Sequence, residues 1–175
     1  MKNYAKSATF LQPLSQERLK EVLHYEDLTG VFSWMRGGRG RYMRPGRPAG
    51  GVGKDGYVYI GIDGQQYFAH RLAWLWVHGH WPEFEVDHRN GRKDDNRIAN
   101  LRDVTRSVNA QNLREARSDS ASGVLGVSWN EAAQKWVASI VVDGRQRLVA
   151  RSVDQGEAAA AYLAAKRAHH EGCTL

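Results

Sequence analysis

The sequence predicts an α+β chain in two parts, and three observations predict it. Short apolar stretches switch between strand-like and helix-like spacing along the whole length, with no long run of either kind. A small polar stretch at 118–122 (SDSAS) interrupts the pattern with the composition of a linker. Beyond it, three strand-like runs lead directly into one alanine-rich helix. A length of 175 residues suffices for two small domains, and 42% hydrophobic residues with 10% aromatics can fill a core in each. The expected parts are 1–117, the linker 118–122, and 123–175.

Ser15 is a plausible cap for an amphipathic helix over 15–28, where Leu19, Val22 and Leu23 recur at helical spacing and Gly30 follows the end. A short strand at 31–35 runs into a glycine-rich basic stretch. Alternation at 57–62 gives another strand, and Asp63-Gly64 turns it back into 66–69. The run 70–78 (HRLAWLWVH) is apolar at Leu72, Leu75 and Trp76, which predicts a buried helix stopped by Gly79 and Pro82. A strand then ends at His88. A polar loop, a second strand at 100–104 and a helix over 107–116 follow.

Past the linker, strands are expected at 126–129, 135–142 and 147–152, with Asp143-Gly144 as the turn between the last two. Asp154 and Glu157 form a capping-box pattern for a helix reaching His170, and Gly172 suits its C-terminal cap.

The net charge of +6 is concentrated in one place. Residues 1–35 carry four basic and four acidic side chains, residues 55–117 nine of each, and residues 118–175 six of each. The whole excess lies in 36–54: Arg36, Arg39, Arg41, Arg44, Arg47 and Lys54, with no acid. Such a stretch attracts a polyanion by Coulomb forces and counterion release. A solvated loop that keeps the protein soluble is the plainer alternative. No stretch approaches the roughly 20 apolar residues of a membrane span, and 1–10 lacks an apolar signal core, so a cytoplasmic protein is expected. One cysteine, Cys173, excludes an internal disulfide and a Cys-pair zinc site. Any metal must be held by oxygen and nitrogen donors.

The candidate chemistry sits at 87–109. Asp87 is a hard oxygen ligand suited to Mg²⁺ or Mn²⁺, and His88 is the natural general base at neutral pH. Taken alone, an Asp-His pair is more often a loop anchor. Asn100 follows His88 by twelve residues, at the start of the second strand, and Asn109 lies nine further on, at the start of the next helix. This order, with HRLAW upstream and VDHRNGRKDDNRIANL and VTRSVNAQN around it, resembles the ββα-metal motif of HNH endonucleases, in the subgroup of phage-encoded homing and free-standing nucleases.

That resemblance implies a DNA endonuclease using one divalent metal ion, Mg²⁺ or Mn²⁺, on double-stranded DNA, in a bacterial host cytoplasm if phage-encoded. It implies Asp87 and Asn109 as metal ligands, a solvent-facing His88 as the base for the attacking water, and Asn100 as the brace of the loop. Asn109 stands where many HNH enzymes carry His; an amide oxygen there favours Mg²⁺ or Mn²⁺ over zinc. A capping role near the helix start is the alternative for Asn109. Arg89, Arg92 and Lys93 are positioned to grip the DNA backbone, or else to pair with Asp94 and Asp95. His70 is read first as a core residue.

Residues 122–172, with Gly-Val-x-Trp, Lys-Trp-x-Ala-x-Ile and Glu-Ala-Ala-x-Ala-Tyr, resemble an AP2 domain, which implies a three-stranded sheet laid on DNA and backed by a helix. Alternation assigns Trp136, Ala138, Ile140 and Val142 to the helix side and Lys135, Val137, Ser139 and Val141 to the other. Trp129, Asn130, Lys135, Arg145 and Arg147 are the residues left to touch DNA. One Asp-His-Asn-Asn set and no heptad pattern point to a monomer that nicks one strand. The rival is a non-catalytic DNA-binding regulator that uses the same fold as a scaffold.

Overall fold

The computed structural model describes residues 14–38 and 43–174, so Arg39 and Arg41 of the basic stretch lie outside the described residues. Among the described residues, 14–82 with 93–99 form one compact unit, and 83–92 with 100–174 form the other.

In the first unit, Ser15 caps α1 (Gln16–Val22) by accepting from the Arg18 amide at 3.2 Å. The helix stops there, short of the expected 28. Residues 23–26 become β1 (Leu23–Glu26), antiparallel to β2 (Val31–Trp34). The reason is alternation: Leu23 and Tyr25 are buried while His24 and Glu26 are exposed. The turn requires Gly30 at φ +73°, because a Cβ there would lie 2.4 Å from the Arg97 main-chain nitrogen. Tyr25 donates to the Asn96 carbonyl at 2.7 Å, and burial pushes its phenol pKa up to about 12.

A three-stranded antiparallel sheet follows, in the order β3 (Gly51–Val52), β4 (Val58–Ile62), β5 (Gln65–Phe68). β3 lies in the stretch that reads from sequence as basic loop. Asp63 and Gly64, both at positive φ, make the expected hairpin turn. α2 (Ala69–His78) buries Ala69, His70, Leu72, Ala73 and Leu75 and ends at left-handed Gly79. His70 is a core residue, its ring 5.1 Å from Phe68 and 5.3 Å from Tyr57. The basic stretch is partly anchored. Main-chain bonds from Gly46 to Trp34, from Trp34 to Arg47 and from Ala49 to Phe32 hold 46–49 along β2.

In the second unit, β6 (Glu85–His88) pairs antiparallel with β7 (Leu101–Val104), and α3 (Arg106–Gln111) follows, capped by Thr105. α3 is shorter than the expected 107–116. Asn112 caps it and turns its side chain inward, and Leu113 gives its carbonyl to the Lys166 ammonium.

The remaining strands, β8 (Val127–Asn130), β9 (Lys135–Val142) and β10 (Arg145–Ser152), form an antiparallel sheet in the order β10-β9-β8. α4 (Gln155–His169) starts at Asp154, whose carboxylate accepts from the Glu157 amide at 2.9 Å. Val127, Ala138, Ile140, Ala158 and Tyr162 make the core between sheet and helix, with Trp136 and Val142 packed against it. Gly126, at φ +71°, exists to admit the Tyr162 ring, which a Cβ would meet at 2.0 Å. His170, not Gly172, is the C-cap of α4. Gly172 instead packs on α3, where a Cβ would lie 2.1 Å from the Val108 carbonyl. Among the described residues, no helix is long and apolar enough to cross a membrane.

Candidate active site

β6 and β7 build the site through their register. Asp87 faces Arg102 across the ladder, and cross-strand partners share a face. The guanidinium closes on one oxygen of the carboxylate: Arg102 Nε and Nη2 lie 2.9 and 2.7 Å from Asp87 Oδ2. Both groups are nearly buried, with side-chain exposures of 12% and 8%, so each charge meets its opposite where water is largely excluded. Glu85, two residues earlier, lies on the same face of β6 by the period of the strand.

α3 closes that face. Asn109 Nδ2 donates to Glu85 Oε2 at 2.6 Å, so the amide expected at Asp87 is engaged two residues away, at the next position on the same face. Asn112, one helical turn further on, is the amide at Asp87. Its Nδ2 lies 3.2 and 3.1 Å from the two carboxylate oxygens and 2.9 Å from the His88 carbonyl. Arg102 and Asn112 were missed in the sequence. Arg102 becomes visible only once the strand register is known. Asn112 had a usable signal, its i,i+3 spacing from Asn109.

His88 is only 4% exposed, so the solvent-facing base expected from the sequence is instead a packed residue. Strand alternation directs it away from the Asp87 face, at the end of β6. The loop after it is pinned by Asn100: the Arg89 amide donates to its main-chain oxygen at 2.8 Å and the Asn90 amide to its Oδ1 at 3.0 Å.

The basic residues divide into two groups. Arg36, Arg44, Arg47, Lys54, Arg89 and Arg92 are exposed. Lys93 is engaged within its own unit, donating to the Asp55 carbonyl at 3.0 Å and sitting 4.9 Å over the Tyr57 ring. In the sheet, the register puts Trp129, Arg145 and Arg147 on the helix side, opposite Trp136, Val142 and Ile140. The outer face instead carries Ser128, Asn130, Lys135, Ser139, Gln146 and Arg151.

The donor set fits a hard divalent cation. It offers one buried carboxylate already balanced by a positive group, with neutral amides beside it. Among the described residues there is no cluster of three or more His, Cys, Asp or Glu that could hold a metal. A full protein cage is not required, because Mg²⁺ keeps several waters and takes one or two carboxylates plus substrate phosphate.

The model of the HNH endonuclease family matches residues 67–111 of the chain, the segment that runs from β5 through α2, β6 and β7 to the end of α3. A relative, the DNA endonuclease I-HmuI of Bacillus phage SP01, is 38% identical over 66 residues, which is 35% of this chain. The alignment spans 38% of that relative's length. No solved structure matches the chain.

Proposed function

We propose that the chain is a divalent-metal-dependent endonuclease that hydrolyses phosphodiester bonds in double-stranded DNA, a site-preferring nickase of the homing or phage type. The observation that supports this best is the buried Asp87 carboxylate, held at the strand end beside His88 inside the matched HNH segment. Burying a carboxylate is costly, and a purely structural position would hold an apolar side chain more cheaply.

In this reading Asp87 would hold the cation through its carboxylate and Asn109 through its amide oxygen. The bound ion supplies charge neutralisation at the scissile phosphate. His88 accepts the proton of the attacking water, and its packing fixes the ring that receives it. Asn100 braces the His88–Asn90 turn through the Asn90 amide. The exposed arginines of 36–54 grip phosphates without reading sequence. The 123–175 module, AP2-like in its three strands and one helix, contributes target preference through Lys135, Asn130 and Arg151 on the acid-free outer face of its sheet. One site serves one strand, so a monomer nicks.

Supercoiled plasmid incubated with the chain and Mg²⁺ is the test. Open circle should accumulate before linear product, and EDTA should prevent both. Plasmid that stays supercoiled while bound would favour the rival, a non-catalytic DNA-binding regulator.

A further inference from the structure

We infer that Asn112 is a positioning residue for the cation site: its amide ties the Asp87 carboxylate to the His88 main chain, so the ligand oxygen and the base keep a fixed relation. The inference rests on the endonuclease reading for its chemistry and on the geometry for its residues. Asn112 is 6% exposed, and a buried amide without partners is costly, so its contacts are specific commitments. One Nδ2 serves both the carboxylate and the His88 carbonyl.

The two oxygens of Asp87 are held unequally. Oδ2 takes both Arg102 bonds, at 2.9 and 2.7 Å, together with Asn112 at 3.1 Å. Among the described residues, Oδ1 has only the longer Asn112 contact, at 3.2 Å. Arg102 thus balances the charge through one oxygen, while Asn112 sets the carboxylate's rotation and leaves Oδ1 as the oxygen a cation can take.

The orientation of the amide is itself enforced. Thr174 Oγ1 donates to Asn112 Oδ1 at 2.6 Å, which points the NH₂ group at Asp87. Thr174 Oγ1 also lies against the Arg89 carbonyl, and Arg114 Nη2 reaches Arg89 O and Thr174 O at 2.9 and 3.2 Å. The Gly172 amide donates to Gln111 Oε1 at 3.0 Å, which seats 172–174 on the end of α3. Groups that orient a metal ligand in this way typically cost 10- to 100-fold in metal affinity or activity when removed.

The experiment titrates the full chain with Mn²⁺, reading free Mn²⁺ by electron paramagnetic resonance without DNA. Wild type is compared with Asn112→Ala, Asn112→Leu (which keeps volume but removes the donor) and Thr174→Val. The Asn112 variants should bind Mn²⁺ about tenfold or more weakly at an unchanged circular-dichroism spectrum. Thr174→Val should weaken it less. Folded Asn112 variants with wild-type Mn²⁺ affinity overturn the inference and leave the endonuclease reading standing. Loss of Mn²⁺ affinity in a protein that never cuts DNA supports the inference and sinks that reading. A wild type that binds no Mn²⁺ overturns both. Should both Asn112 variants unfold, Thr174→Val decides, and unchanged affinity there counts against the inference.

Discussion

The interior of the β6–β7–α3 segment holds Asp87, His88, Asn100 and Asn112 beside Val86 and Leu101. Under α4, in the same unit, the interior is Val127, Ala138, Ile140, Ala158 and Tyr162. Both regions are a few short strands closed by one helix. The second is held by apolar burial, at roughly 1.5–3 kcal/mol for each large side chain. The first spends interior volume on groups that gain little from burial and must each be partnered. The contrast separates what holds the fold from what the fold holds in place: the apolar interior contributes stability, and the polar one contributes geometry.

The largest effect that would sharpen this contrast lies at His88. Replacing it by Ala should lower the DNA cleavage rate by about 10²- to 10⁴-fold, the usual worth of a general base. Because the ring is packed, the melting temperature should fall as well. Rates corrected for the folded fraction separate the two effects, and corrected rates equal to wild type would remove His88 from the chemistry.

Ile140 is the opposite case. Ile140→Ala should cost about 2–5 kcal/mol in denaturant unfolding, while cleavage per folded molecule stays the same. A folded but inactive Ile140→Ala chain would break the division of labour between the two interiors.

Asn100→Ala should fall between them, at about 1–3 kcal/mol, since the Asn90 amide loses its acceptor. Stability measured without metal tests the brace apart from catalysis. No loss of stability would show that the loop holds its shape without Asn100.

The smallest effect concerns Lys166, 1% exposed on α4, whose ammonium burial pushes below its ordinary pKa of 10.5. A depressed lysine pKa means that the charged form costs stability in the fold at neutral pH. That cost is relieved as pH rises through the folded pKa toward 10.5. Relative to Lys166→Met, wild type should therefore gain melting temperature across that alkaline window. A constant difference between the two curves would show that Lys166 does not titrate ahead of its unfolded value.

The apolar region was the more legible of the two. Alternation in 135–142 assigned Trp136, Ala138, Ile140 and Val142 to the helix side, and the register agrees. Asp63-Gly64, Asp143-Gly144 and the Asp154 cap were readable because each depends on a local backbone requirement. β1 was misread as helix because Leu19, Val22 and Leu23 satisfy the helical period, while the pairing of 23–26 with β2 is non-local.

In the polar region, spacing picked out Asp87, His88, Asn100 and Asn109 as a set, but not their partners. Arg102 meets Asp87 only through the ladder, and Asn112 only because α3 ends at Gln111. Burial of His88 was likewise hidden, since a polar residue at a strand end carries no periodic signal for its face. Arg145 and Arg147 looked like reading-face residues until the pairing with Val142 and Ile140 turned them to the helix side.

The most direct measurement is the Mg²⁺ dependence of plasmid nicking by wild type and Asp87→Asn, a change that preserves shape and removes one charge. Wild type should convert supercoiled plasmid to open circle as Mg²⁺ rises. Asp87→Asn, folded by circular dichroism and still binding DNA, should remain inactive or need far more metal. Equal rates for the two proteins at every Mg²⁺ concentration would contradict the claim that the buried polar interior of β6–β7–α3 is where DNA is cut.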